Sequence, residues 1–416
     1  MLDDNRIYRK SIMDINNKSF RKIESLFDVA FYILFSVFFN YHFMRSTMFY
    51  ADRLKVHAEF LKSIYNYSYW GLVILSVFSL IFVYKGIKNR LFPLCIFVVV
   101  LLYNHFRCVS EYPAVAVFFM LVICSKNKSF PVLGKIILGY GWIWIIASAI
   151  GCKAGYISDI VFYGTRHSFG SIYMTDLACH FLTLMMVLCI VRQGKLKMYE
   201  YVLGVFLLGV NYLFMKAKIG FSCLSLLLIG TFLHQYFLSK RSLSEKTKDV
   251  YKFFCIYGIL FLVPLTMVLT ATYSDSPAMF YNKFNLFGSL RSRFMLGKQA
   301  LETYPFTLFG VPIQEHGNGG NKTGIVENYF FIDISYLRIL LMEGVLVWLM
   351  SIALFIKTQV KMSREKKYYY MFVVAIFVID CAIEHHIIEI AYSFLPYLLF
   401  CRDDKSLADM QSSAVV

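Results

Sequence analysis

The sequence predicts an all-α, polytopic integral membrane protein, a single bundle of about twelve transmembrane helices. Of its 416 residues, 58% are hydrophobic and 16% are charged, and the mean hydropathy is +0.59. Apolar windows of about 17 to 22 residues, long enough to cross a hydrocarbon core of about 30 Å as helix, recur along the chain. Basic residues concentrate in alternate loops. This composition excludes an ordinary soluble domain.

The windows divide the chain into tails, spans and one long loop. Residues 1-24 and 402-416 are predicted cytoplasmic tails, and residues 25-401 form the transmembrane domain with a large external loop at about 273-328. The expected spans are 25-44, 68-84, 91-105, 110-125, 131-151, 171-191, 198-215, 219-238, 252-272, 329-356, 368-384 and 386-401.

The net charge of +16 is explained by membrane orientation. The predicted topology places about 27 of the 42 Lys and Arg on the cytoplasmic side, with both termini inside. The lipid bilayer is therefore an expected partner, and no nucleic acid is expected. The ten cysteines include no CxxC pair, so no disulfide framework is predicted.

The sequence gives no sign of a cofactor. It contains no phosphate-binding P-loop, no GxGxxG unit and no HExxH, which makes a nucleotide-sugar donor a poor fit. The densest metal-ligating cluster is Glu384, His385, His386 and Glu389, in which His385 and Glu389 have one-turn spacing. A wet cavity or a short outer turn explains this cluster as well, so neither a metal nor a cofactor is expected.

The external loop contains a predicted helix from Leu290 to about Thr303. Leu290, Phe294 and Leu301 fall on one side of it, which suits a segment lying on the membrane surface. Arg293 points elsewhere. Its neighbours one and two turns on are Gly297 and Ala300, so an extended anion is expected to reach its guanidinium without obstruction. Snorkelling toward lipid headgroups is the alternative explanation for such an arginine.

Further cations are predicted on the same side of the membrane. Arg166 stands at the entrance of the sixth span, and Lys216 with Lys218 occupies the turn between the seventh and eighth. Arg338 follows Asp333 by five residues into the tenth span, where it either serves a ligand or pairs with a carboxylate. Positive charge on the translocated side runs against the orientation bias, which indicates an anionic ligand.

Four stretches resemble segments of the polysaccharide polymerases of the Wzy type, which are related to O-antigen ligases. They are TRHSFG at 165-170, MKAKIG at 215-220, SRFMLGKQAL with LFG at 292-310, and DISYLRILLMEG at 333-344. Their order, spacing and common side agree with that family over roughly residues 130 to 350. The resemblance implies a GT-C-like membrane bundle in the bacterial cytoplasmic membrane, with its active site facing outside.

The resemblance also implies a reaction: a growing glycan on undecaprenyl pyrophosphate is transferred to a hydroxyl of another lipid-linked repeat unit. The partners it implies are this lipid-linked oligosaccharide, a flippase and a chain-length regulator. The pyrophosphate leaves with developing negative charge, which arginine can bind in a bidentate manner. Arg293 is the first candidate ligand, with Arg166 and Lys218 as partners and Arg291 and Arg338 in support.

The candidate general base is Asp333, at a position where ligase relatives often carry His. That difference favours a polymerase over a ligase, although His316 in the loop could supply an imidazole and Glu327 a carboxylate. A ligase-like transferase and a lipid-linked oligosaccharide flippase stay open. A flippase of that kind would show two similar halves, whereas here the loop and the motifs are placed asymmetrically.

The predicted topology can be tested with reporter fusions. A reporter fused near Asn318 should report the outer face of the membrane, and one near Lys246 should report the cytoplasm, because the basic loops stay inside. An Asn318 fusion that reports the cytoplasm would contradict every site assignment made above.

Overall fold

The computed structural model describes residues 25–107, 113–237, 244–274, 276, 290–322 and 326–402. The predicted tails at 1-24 and beyond 402, and parts of the predicted external loop, lie outside the described residues. The helices are α1 (Ser25–Arg45), α2 (Ala58–Phe78), α3 (Ile87–Phe106), α4 (Ala114–Cys124), α5 (Phe130–Lys153), α6 (Met174–Val191), α7 (Met198–Val210), α8 (Lys218–Tyr236), α9 (Glu245–Ala271), α10 (Arg291–Thr303), α11 (Ser335–Arg338), α12 (Val345–Arg364) and α13 (Tyr368–Asp380).

The structure is a polytopic helical bundle of the membrane type. Nine helices in the described ranges are long and apolar enough to cross a membrane, two of them extended by π-helical turns, which lengthen α2 to Tyr50–Val83 and α7 to Met198–Met215. The helices α4 and α13 are apolar but shorter. The structure therefore confirms a multi-pass helical protein and leaves the count of twelve spans unconfirmed.

Two predicted spans differ from the structure. Residues 386-401 form turns and a short 3-10 helix, Leu395–Leu399, and almost all of them are buried. Irregular backbone at membrane depth is tolerated where protein covers it, so an apolar window there does not require a helix. The predicted span 329-356 is also interrupted: α11 and a π-helical turn, Ile339–Glu343, precede α12.

The helix α6 is the centre of the bundle and is almost wholly buried. It packs against α5 and α8, which approach it through glycines. A Cβ added at Gly141 of α5 would lie 2.6 Å from Cδ2 of Leu184, and one added at Gly220 of α8 would lie 3.0 Å from Cβ of Ala178. Small residues allow the close helix contacts that stabilise membrane bundles. This packing fixes the position of the N-terminal end of α6.

Polar segments collect at the two ends of the bundle. One end brings together the start of α6, the turn between α7 and α8, the start of α10 and the segment after α13. The other end holds the C-terminal ends of α6 and α8 and the start of α13, where a separate pocket is lined by Lys126, Gln193, His234, Lys367 and Arg402. The candidate site therefore lies at one end of the helices, as the predicted alternation of loops requires.

Two glycines in the resembling motifs lie against each other. Gly310 and Gly344 have positive φ values of 76° and 89°, and a Cβ added at Gly344 would lie 2.3 Å from the backbone nitrogen of Gly310. The backbone N–H of Val345 donates to the carbonyl of Thr307, and that of Val311 donates to the carbonyl of Leu341. This contact joins the chain after α10 to the start of α12 and requires the absence of side chains.

Replacing Gly310 by alanine should destabilise this junction. The new Cβ would lie 2.1 Å from the carbonyl oxygen of Met342, and the left-handed backbone alone costs an L-residue about 1–2 kcal/mol. We expect the variant to melt at a lower temperature in detergent and to express poorly. Gly258→Ala is the matched control, because Gly258 lies within α9 with open space around it. Equal melting temperatures for the two variants would contradict the packing described here.

Candidate anion-binding site

A pocket of about 320 Å³ lies at the site end of the bundle. Its lining brings together four residues that the sequence singled out in separate segments: Arg166, Lys218, Arg293 and Asp333. Lys216 lines it as well. The structure therefore brings these four segments together at one pocket.

A short hairpin positions Arg166. Strands β1 (Val161–Phe162) and β2 (Arg166–His167) pair antiparallel before α6 begins. The carboxylate of Asp159 holds the hairpin: it accepts hydrogen bonds from the backbone N–H groups of Ser168 at 3.1 Å and Phe169 at 2.8 Å. The second carboxylate oxygen lies 2.7 Å from Nδ1 of His167. Asp159 precedes β1, and its hydrogen-bond donors Ser168 and Phe169 follow β2, so these contacts fix the backbone position of Arg166 within the hairpin.

Arg166 also stabilises the short connection between α7 and α8. Its Nε donates to the carbonyl of Met215 at 2.8 Å, and Nη2 donates to the carbonyl of Lys216 at 3.3 Å. The Asn211 side chain closes the same turn, accepting from the backbone N–H of Ala217 at 3.0 Å. These contacts keep Lys216 in a left-handed backbone conformation, with φ at 52°.

The pocket contains unpaired positive charge. The hydrogen bonds of Arg166 go to backbone carbonyls, its guanidinium lies 6.0 Å from the ring centroid of Tyr163, and Nζ of Lys216 donates to the hydroxyl of Thr165 at 3.1 Å. Within the described residues neither these two nor Lys218 forms an ion pair with a carboxylate. Three neighbouring cations without counter-charges repel one another and favour an anion among them. The pocket is therefore suited to binding an anionic group.

Arg293 has a different environment, since it bridges two carboxylates. Its Nε lies 3.2 Å from Oδ2 of Asp333, and its Nη1 lies 2.9 Å from Oε1 of Glu384 and 3.1 Å from the carbonyl oxygen of Ile383. The side chains of Arg293, Asp333 and Glu384 are 13%, 16% and 3% exposed. Among the described residues no partner engages Nη2. The guanidinium is thus largely neutralised, not wholly open to a ligand as the sequence led us to expect.

Asp333 can act as a proton acceptor in this setting. It lies in extended chain just before α11, outside the nine membrane-length helices. Burial raises the pKa of its carboxyl to about 6, with Arg293 opposing the rise and Glu384 adding to it. A carboxyl whose pKa lies near neutrality exchanges protons more readily at physiological pH than an exposed aspartate does.

The predicted open face of α10 is wrong. Gly297 and Ala300 are buried, and a Cβ added at Gly297 would lie 2.7 Å from Cγ2 of Thr270 on α9 and 3.2 Å from Cδ2 of Leu337. The small residues admit a neighbouring helix, not a ligand. The helix itself, at Arg291–Thr303, matches the predicted range, but it packs on α9 and does not present this face to an anion.

Three predicted residues lie away from the pocket lining. Arg291 is exposed at the first turn of α10. His316 is exposed, and its backbone pairs with Phe330 through two hydrogen bonds of 2.9 and 3.2 Å. Glu327 is exposed too. The described geometry therefore gives Asp333 a place beside the cations and gives none to the two alternative bases.

Arg338 also lies outside the pocket lining. Its Nη1 donates to the carboxylate of Glu315 and to the carbonyl of Ile332, at 3.3 Å for the latter. Its guanidinium lies 4.9 Å from the ring centroid of Phe331. The structure therefore favours the second of the two explanations for Arg338, a structural ion pair with a carboxylate. That carboxylate, Glu315, belongs to the predicted external loop. The ion pair anchors the loop to α11.

Sequence reasoning missed two residues that shape the site. In the sequence, Glu384 is recognisable only as a member of a cluster of histidines and carboxylates. Its ion pair with Arg293 depends on the three-dimensional fold. Asp176 has no role among the predictions from the sequence, yet it is a buried carboxylate in the first turn of the predicted span α6. An ionisable residue within a span is a functional signal in itself.

No family model, curated protein or solved structure matches the chain. The likeness to Wzy-type polymerases thus stays a prediction from the four sequence motifs.

Breaking the Arg293 bridge should destabilise the protein. Arg293→Ala leaves two buried carboxylates without their cation, a change that typically costs about 3–5 kcal/mol. Combining it with Glu384→Gln should restore part of the loss, because the neutral amide removes one of the two uncompensated charges. Melting in detergent measures both. Arg291→Ala, at an exposed position on the same helix, is the control and should destabilise the protein much less than Arg293→Ala does. Strict additivity of Arg293→Ala and Glu384→Gln would contradict the bridge.

Proposed function

We propose that the protein polymerises oligosaccharide repeat units linked to undecaprenyl pyrophosphate, acting as a glycosyltransferase with a lipid-pyrophosphate donor. The observation that carries the proposal is the group of three unpaired cations, Arg166, Lys216 and Lys218, beside the carboxylate of Asp333 in one pocket. A pyrophosphate leaving group and a sugar hydroxyl need these two kinds of group side by side.

The cations serve the leaving group. As the bond between the anomeric carbon of the growing glycan and its phosphate oxygen breaks, negative charge develops on the pyrophosphate. Nε and Nη2 of Arg166 donate to backbone carbonyls, which fixes the guanidinium and leaves Nη1 to donate to a phosphate oxygen. The two lysines add point charges on the short turn that Arg166 contacts. A preorganised set of this kind stabilises the transition state, in which this additional charge develops on the pyrophosphate, more than it stabilises the ground state.

Asp333 serves the acceptor. It takes the proton of the attacking hydroxyl as the new glycosidic bond forms. Arg293 is a positioning residue here: through Nε it holds the Asp333 carboxylate, and through Nη1 it holds Glu384. The pocket walls include Tyr163, Tyr173 and Tyr329, whose rings offer apolar faces to a sugar.

The membrane setting belongs to the same proposal. The protein would lie in the bacterial cytoplasmic membrane with a GT-C-like arrangement, and α4, α13 and the buried segment after α13 would complete twelve crossings. Basic residues at the end opposite the pocket, among them Lys126, Lys128, Arg192 and Lys195, favour that end as cytoplasmic. The pocket then faces outside, where a flippase delivers substrate and a chain-length regulator limits the product.

Purified protein in detergent should lengthen lipid-linked oligosaccharide, because the chemistry needs no second compartment. A flippase could not form a glycosidic bond in this assay, so unchanged substrate would contradict the proposal. Asp333→Asn and Lys218→Ala should each lower the rate, by about 100- to 1000-fold where one transition-state contact is lost. His316→Ala and Arg291→Ala, at exposed positions outside the pocket lining, are controls, and both should polymerise normally. Full activity in Asp333→Asn would remove the general base from the account.

A further inference from the structure

A second polar cluster lies beside the pocket and has no part in the proposed reaction. It joins Asp176, in the first turn of α6, to His385 and His386, in the segment after α13. One ligand atom from each of these three residues lies within 4.8 Å of the other two. Two imidazoles and a carboxylate this close, from separate segments of the chain, form a ligand set that transition-metal sites use.

Glu389 orients both imidazoles through one carboxylate. Its Oε2 lies 3.0 Å from Nδ1 of His386, and its Oε1 lies 3.4 Å from Nε2 of His385. The other ring nitrogens, Nδ1 of His385 and Nε2 of His386, are buried and have no hydrogen-bond partner in the described part of the chain. Histidines that ligate metals typically donate their second nitrogen to a carboxylate in this way.

Packing alone does not explain these groups. The ring of His386 stacks on Tyr392 at 3.8 Å between centroids, but stacking leaves its Nε2 unsatisfied, as it leaves Nδ1 of His385. A buried polar atom without a hydrogen-bond partner destabilises the folded protein. A metal ion bound between the two rings would satisfy both nitrogens together.

The balance of buried charge points in the same direction. Asp176, Asp380 and Glu384 are all buried. Arg293 pairs with Glu384, whereas within the described residues neither Asp176 nor Asp380 forms an ion pair with Lys or Arg. Buried carboxylates are tolerated when they are paired, protonated or bound to a metal. A divalent cation supplies the missing positive charge.

The cluster has room for further ligands. A cavity of about 100 Å³ is lined by Asp176 and His385 and also by Asn318, whose buried Oδ1 has no hydrogen-bond partner. The cavity shares Tyr173, Tyr329 and Asp333 with the anion-binding pocket, so the two lie side by side. A cavity of this size admits the one or more water molecules that complete a coordination shell.

We propose that Asp176, His385 and His386 bind one divalent first-row transition-metal ion, with Glu389 orienting the two histidines. The mixed nitrogen and oxygen donors suit Zn²⁺, Fe²⁺ or Mn²⁺, and the absence of thiolate from these three ligands argues against Cu⁺. The ion joins α6 to the segment after α13, which carries Glu384 and therefore the Arg293 bridge. This site goes beyond the proposed function, and neither proposal depends on the other.

The test measures metal in the full-length protein after its affinity tag has been removed. The protein is stripped with EDTA, reloaded with Zn²⁺, dialysed and analysed by inductively coupled plasma mass spectrometry. Wild-type protein should retain about one Zn²⁺ per chain and melt at a higher temperature than the stripped form. Asp176→Asn and His386→Ala should retain little, and His316→Ala, which removes an exposed imidazole, should retain as much as wild type.

A Co²⁺ spectrum of the wild-type protein keeps the proposal testable if the variants do not fold. Binding should give visible d–d bands without a thiolate-to-metal charge-transfer band, because the three ligands include no cysteine. A strong charge-transfer band would assign the ion to the neighbouring group of Cys179, Glu384 and His386 instead. Three results would each overturn the proposal: such a charge-transfer band, a wild-type protein that retains no Zn²⁺, or a well-folded His386→Ala variant that retains it fully.

Discussion

The Arg293 bridge is the interaction on which the site depends. One guanidinium joins three segments that are far apart in sequence: α10, the extended chain before α11, and the chain after α13. Its partners Asp333 and Glu384 are carboxylates with little exposure, so each needs the cation to stay ionised in place. Without the bridge, the carboxylate of Asp333 would lose its fixed position beside the pocket cations.

The bridge divides the positive charge of the site into two kinds. Arg293 forms ion pairs with carboxylates. Within the described part of the chain, Arg166, Lys216 and Lys218 form no such pair and leave a surplus of positive charge in the pocket. The second kind depends on a short turn that Arg166 ties to the hairpin before α6. Because of this separation, a proton acceptor and an anion-binding surface lie side by side without neutralising each other. The proposed transfer from a pyrophosphate donor to a hydroxyl requires both.

The sequence predicted which segments meet, because alternation of spans places every second loop on one side. Arg166, Lys218 and Arg293 fall in such loops, and Asp333 falls at the start of the tenth predicted span on the same side. It could not predict what each side chain contacts. Gly297 reads equally as an open face or as a helix contact, since a missing side chain admits either a ligand or a neighbouring helix. Hydropathy likewise cannot distinguish a helix from buried irregular chain, which explains the difference at 386-401.

A structure determined with undecaprenyl pyrophosphate would test the central claim most directly. The account predicts that the diphosphate lies in the pocket beside Asp333, with its oxygens about 2.7–3.2 Å from nitrogens of Arg166 and Lys218. A diphosphate bound elsewhere, for example among Lys126 and Lys367 at the opposite end of the bundle, would contradict it.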